Sequence, residues 1–178
     1  MACSPATEAL VAEAIAAPPL PMGRFEGREA FRAWVRAALV HAADDGLREL
    51  VCSDADFADW PLGERAVVEV LDRWAGAGRR LTLLAGHYDA VVRLHPRFVQ
   101  WRVRWDHLVT ARKARVVNAS DLPSVLWSPR WVLQRLDPAR CSGVAGSEPD
   151  RLVLQREVLS EWLERKSSPG FAASVLGL

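Results

Sequence analysis

Between Leu47 and Ala85 the chain reads as an apolar run, an acidic turn, an amphipathic stretch and a second apolar run. This order is a β-α-β unit. Leu47 to Cys52 predicts one strand and Arg80 to Ala85 another, whose LTLLA core is continuous rather than alternating, as in a parallel strand covered on both faces. Pro61 opens the intervening helix, Val67, Val70, Leu71 and Trp74 form its apolar stripe, and Gly76 and Gly78 end it. The crossover is expected to be right-handed. The unit therefore predicts an α/β fold with a mixed, largely parallel sheet flanked by helices, and it names no reaction.

The rest of the chain fits around this unit as one domain. Residues 1–23, Ala-rich and broken by Pro5, Pro18, Pro19 and Pro21, predict a mobile arm; residues 24–166 predict a single α/β domain and 167–178 a carboxyl tail. A helix is expected over Gly27 to Asp45, with Phe31, Trp34, Val35, Ala38, Leu39 and Ala42 inward and Arg28, Arg32 and Arg36 as a solvated row. Pro96 starts another helix carrying Phe98, Trp101, Trp105 and Leu108. Leu108 to Val117 predicts a strand, Leu122 to Leu136 one or two more around the turn Ser128-Pro129, and Pro138 to Ala145 a loop. Ser147 is placed as the N-cap of a last helix, with Asp150 completing a capping box and Leu152, Leu159, Trp162 and Leu163 buried.

Composition removes several classes of function. Lys+Arg 23 against Asp+Glu 22 leaves a formal net charge of +1, so any nucleic acid or acidic membrane would have to be held by a local patch. Cys3, Cys52 and Cys141 are widely spaced and form no CxxC pair, which suits reduced thiols and gives no zinc framework. No apolar run approaches the roughly 20 residues of a membrane span. The first basic residue is Arg24, so no signal peptide is expected and a cytoplasmic location is. Eight tryptophans against one tyrosine suggest indoles at packing edges or at a subunit interface.

Candidate ligand-binding residues fall at strand ends. Ligands of open α/β sheets bind outside the carboxyl ends of the strands, which singles out Asp54, Asp56 and Asp59 after the first strand and His87, beside Tyr88, after the second. Asp and Ser are also ordinary turn and helix-start residues, and that reading is preferred. Arg97, Arg102, Arg104, Arg112 and Lys113 lie in the most basic stretch, Arg93 to Arg115, where cations interleave with aromatics as in single-strand nucleic-acid binders. An amphipathic helix with solvated or paired arginines is the preferred alternative. The patterns GxGxxG, GxxxxGK[ST], HExxH and GxSxG do not occur.

The element order, together with Cys52-Ser53-Asp54-Ala55-Asp56 and GVAGSEPDR at Gly143 to Arg151, resembles one half of the phospholipase D-like fold and is similar to uncharacterised bacterial domains of that superfamily. The likeness covers Leu47 to Lys166, about two-thirds of the chain. It implies a catalytic His-x-Lys pair, in which histidine attacks phosphorus and lysine neutralises the phosphoryl oxygens. Here the four histidines are followed two residues on by Ala43, Asp89, Arg97 and Val109, so the pair is missing. Gly146 and Ser147 match the family's phosphate-contacting turn, although Glu148 and Asp150 place negative charge beside it.

These readings give a non-catalytic phospholipase D-like domain that acts by binding or self-association as a homodimer, with no cofactor, no metal and no membrane partner. Nucleic-acid or phosphate-ligand binding through residues 93–115 is the alternative. A hydrolase or transferase built from Asp54, Asp56, His87 and His107 is a further one, and it requires those groups to converge in one pocket.

Overall fold

The computed structural model describes residues 19–115, 118 and 121–172. In chain order these form β1 (Gly23–Phe25), α1 (Arg28–Asp44), β2 (Glu49–Asp54), α2 (Arg65–Trp74), β3 (Arg80–Ala85), α3 (Asp89–Leu94), α4 (Pro96–Arg104), β4 (Val109–Ala114), β5 (Ser124–Trp127), β6 (Val132–Asp137), β7 (Ser142–Gly146), α5 (Pro149–Arg165) and β8 (Ser167–Pro169). Short 3-10 turns at Pro61–Gly63 and Asp106–Leu108 precede α2 and β4.

All eight strands join one sheet in the order β1-β7-β6-β5-β2-β3-β4-β8. The predicted β-α-β unit sits at its centre, with β2 parallel to β3 and Glu49 to Asp54 aligned with Arg80 to Ala85. β4 continues the parallel set beside β3. Every other pairing is antiparallel, so the sheet is mixed but mostly antiparallel and not largely parallel. Connection length explains two of these pairings, β5–β6 and β6–β7: a parallel return needs a dozen or more residues, and the links 128–131 and 138–141 are of hairpin length.

Helices α1 to α4 cover one face, and the main core lies beneath them, centred on Phe31, Val35, Trp60, Leu71, Trp74, Leu81, Leu83 and Phe98. On the opposite face α5 covers a smaller cluster of Val51, Val125, Trp127, Val132 and Leu159. Burial from both sides accounts for the unbroken apolar runs of β2 and β3.

Several local expectations are corrected. Asp54 is the last residue of β2 rather than part of the following turn. Pro61 opens a 3-10 turn, and α2 begins at Arg65. The expected loop 138–145 contains strand β7. Its Gly143 is required by packing, since a Cβ there would stand 2.1 Å from the Gln134 carbonyl oxygen and 2.8 Å from the Phe25 ring. Ser147 does not cap α5: Glu148 holds the N-cap position, no side chain bonds there, and Pro149 starts the helix with a residue that lacks an N–H. The arginine row of α1 is not simply solvated, because Arg32 and Arg36 each reach Glu64 at 2.8 Å and tie α1 to the start of α2. Trp60, Trp74 and Trp131 are fully buried, whereas Trp34, Trp105 and Trp162 are half-buried at packing edges. The indoles of Trp74, Trp127 and Trp131 donate to the carbonyls of Leu47, Leu152 and Pro21. The expected tail begins with β8, whose edge pairing with β4 brings residues 167–169 into the sheet. The expected arm falls mostly on residues 1–18, outside the described residues.

Candidate functional site

The charged centre of the domain lies where β2 ends. Asp54 is 1% exposed, and its Oδ1 accepts the backbone N–H groups of Asp56 at 3.2 Å and Phe57 at 3.0 Å. These bonds turn the chain sharply out of the sheet, leaving Phe57 in the left-handed region at φ 60°. The other oxygen, Oδ2, accepts the Ser124 hydroxyl at 2.5 Å and Arg135 Nη2 at 2.7 Å. Ser124 Oγ in turn accepts from Arg135 Nε at 3.1 Å.

Arg135 comes from β6, on the same face as Leu133, and therefore points into the core. Its Nη1 donates to Asp59 Oδ2 at 2.9 Å and approaches Cys141 Sγ at 3.5 Å, and its guanidinium lies over the Phe31 ring at 4.7 Å. Arg28 closes the outer side with a 2.8 Å contact to Asp59 Oδ1. Burial alone would lower the pKa of Arg135; the Asp54 charge, with Cys141 and Asp59, overrides it and leaves the value raised. All three guanidinium nitrogens and both Asp54 oxygens are thus engaged, so the cluster satisfies itself and holds β2, β5 and β6 together.

The remaining sequence candidates do not gather around this cluster. Asp56 Oδ1 accepts from the Ala58 N–H at 2.9 Å, an ordinary turn contact. His87 is half-exposed, and its Nδ1 lies 3.6 Å from Asp89. His95 is buried against the Phe57 carbonyl, and His107 stands beside Trp105. Gly146 is buried at the end of β7, where a Cβ would meet Glu148 Oε2 at 2.0 Å; the Glu148 carboxylate thus covers the turn that a phosphate would use. Ser147 is exposed. Among the described residues no group of His, Cys, Asp and Glu could hold a metal ion.

Of the basic candidates, Arg97 and Arg104 line an open groove of about 440 Å³ between α2 and α4, together with Glu69 and Asp72. Arg104 pairs with Asp72 at 3.4 Å, so the groove carries both signs of charge. Arg102 is buried and Arg112 half-buried, each held by the carboxyl segment, while Lys113 is exposed. A second groove, of about 400 Å³ and almost wholly apolar, lies between α5 and the β5–β6 turn, lined by Trp127, Pro129, Pro149, Leu152 and Val153.

No family model matches this chain, and no curated protein matches it. Among solved structures it is similar to TrmBL2, an archaeal chromatin protein whose structure shows a novel mode of DNA binding, with a TM-score of 0.60 and 15% identity. The match covers 90% of this chain and 59% of that one. At this identity the likeness concerns the fold. No helix among the described residues is long and apolar enough to cross a membrane.

Sequence reasoning selected Asp54 but missed Arg135, Ser124 and Cys141. The signal for Arg135 is present in Val132-Leu133-Gln134-Arg135, where alternation puts an arginine in the core-facing register and so demands a buried partner.

Proposed function

We propose that this chain is a non-catalytic domain of the phospholipase D-like kind that works by self-association, as a homodimer. The observation that carries this reading is the apolar groove on α5, whose lining residue Val153 is 58% exposed. Contiguous apolar surface of this sort is costly to leave in water and marks interfaces. A second copy is the occupant that fits, because a two-fold mate presents the same patch and needs no new chemistry. Its Arg156 and Glu157, adjacent at the groove, bring both charges to the rim and favour no strongly charged partner. The self-satisfied Asp54–Arg135 cluster supports the non-catalytic part: it occupies the strand ends with structural hydrogen bonds.

Size-exclusion chromatography with light scattering tests this. At micromolar concentration the expected mass is twice 19.7 kDa, falling to one copy when Val153 is changed to Glu. A monomeric wild-type protein, or a dimer indifferent to that change, overturns it.

Nucleic-acid binding is the second reading, favoured by the fold likeness to a chromatin protein that binds DNA and by the exposure of Arg97, Arg104 and Lys113. Binding should weaken steeply with salt, and no gel retardation of single- or double-stranded oligonucleotides at low salt would end it. A hydrolase at the strand ends is less well supported, since His87 turns to Asp89 while Asp54 is locked to Arg135 and Ser124.

A further inference from the structure

The carboxyl segment Ser167–Phe171 lies over an aromatic and cationic slot. Phe171 stacks on Tyr88 with ring centroids 4.6 Å apart and planes 8° from parallel. The Arg102 guanidinium lies 4.3 Å from the same ring centroid. Phe171 therefore packs against both the Tyr88 ring and the Arg102 guanidinium. Arg102 also donates to the Phe171 carbonyl, and its Nε is buried with no partner. On the α5 face of β4, Arg112 donates to Ser167 Oγ and to the carbonyls of Ser167 and Leu163. Among the described residues neither arginine has a carboxylate at ion-pair distance. Two guanidiniums are therefore covered by neutral groups, with only the more distant charge of Asp106 acting on Arg102.

The cover meets the sheet only at its edge. β8 is a three-residue edge strand ending in Pro169, which has no N–H to give. Beyond it Gly170 donates to the Ala111 carbonyl at 3.1 Å, and Phe171 sits at φ 52°, a left-handed conformation unfavourable for a bulky residue. Stacking a planar ring on an aromatic side chain beside an arginine is how single-stranded nucleic acid is gripped, base by base, with cations on the adjoining phosphates.

We propose that Tyr88 and Arg102 form a stacking slot for one base of a single-stranded nucleic acid, with the exposed Lys113 serving its phosphates, and that Ser167–Phe171 caps this slot in cis until strand binding displaces it. This rests on the nucleic-acid reading and is independent of self-association.

The probe is a fluorescein-labelled twelve-residue oligothymidylate at low salt, read by anisotropy. Phe171→Gly removes the ring and suits the left-handed backbone, so it should bind about tenfold tighter than wild type, and adding Tyr88→Leu should abolish the gain. A gain that survives Tyr88→Leu, or no gain in a folded Phe171→Gly, overturns the proposal. Hydrogen exchange on the wild-type protein gives a test that does not depend on any variant folding: saturating oligonucleotide should speed exchange of the Gly170 and Arg115 amides, which donate to Ala111 and Lys166. Binding that leaves these amides protected and is lost on Arg97→Gln with Arg104→Gln would keep the nucleic-acid reading and defeat this site. Absence of all binding defeats both.

Discussion

Arg135 Nη2 lies 2.7 Å from Asp54 Oδ2, and the two side chains are 5% and 1% exposed, 81 residues apart in the chain. Breaking such a buried pair leaves one charge without compensation, which costs about 3–5 kcal/mol, whereas removing both partners costs less than the sum. Asp54→Asn and Arg135→Met should each lower stability by that order in urea unfolding followed by tryptophan fluorescence. In the double variant the Asn amide can donate to Ser124, so the two effects should fall short of additivity by at least about 1 kcal/mol. Strict additivity would show that the pair is not coupled.

Gly143 supports the same region from the next strand. A methyl group there meets the backbone carbonyl of Gln134, which the β6–β7 pairing prevents from moving, as well as the Phe25 ring. Gly143→Ala should therefore destabilise by about 1–3 kcal/mol through overpacking, and should loosen β1 before the parallel centre. Amide exchange resolved by residue is the check; unchanged protection across β1 would refute the packing argument.

The β-α-β centre was legible because both strands are long apolar runs separated by a helical stripe, and each is decided by its own residues. The partners of β5 were not, since Ser124-Val125-Leu126-Trp127 says nothing of whether β2 receives it parallel or antiparallel; the hairpin-length link fixes only its antiparallel pairing with β6. β7 was missed because its Ser-Gly-Val-Ala-Gly sequence answers to cross-strand clearance rather than to strand propensity. β8, reading Ser-Ser-Pro, is a strand only because the edge of β4 is there to receive it. For the site, Asp54 could be picked by its place after an apolar strand. That its partner would be Arg135 depends on the order β6-β5-β2, which no local pattern carries.

Cys52 gives a reactivity prediction. It is fully buried in β2, and burial pushes its thiol well above the ordinary value, so almost no thiolate forms between pH 7 and pH 9. Iodoacetamide should leave Cys52 unmodified in the native protein at pH 8 and label it after unfolding in urea, as read by peptide mass mapping. Rapid native labelling would mean that β2 opens readily.

Tyr88 is the single tyrosine in the chain, so its titration can be followed without interference. Burial raises its pKa well above the ordinary phenol value of about 10, and the positive charge of Arg102 works in the opposite direction without overcoming it. Because the folded state holds the phenolic proton more tightly than the unfolded state, this contribution to stability is complete below about pH 10 and is lost as the pH climbs toward the native value. Tyrosinate absorbance near 295 nm should therefore stay absent in the folded protein at pH 10 and rise together with alkaline unfolding. In Phe171→Gly the ring that covers Tyr88 is gone and water reaches the phenol, so the same absorbance should appear at lower pH, before unfolding. Identical titration curves for the two proteins would show that Phe171 does not shield Tyr88 from solvent.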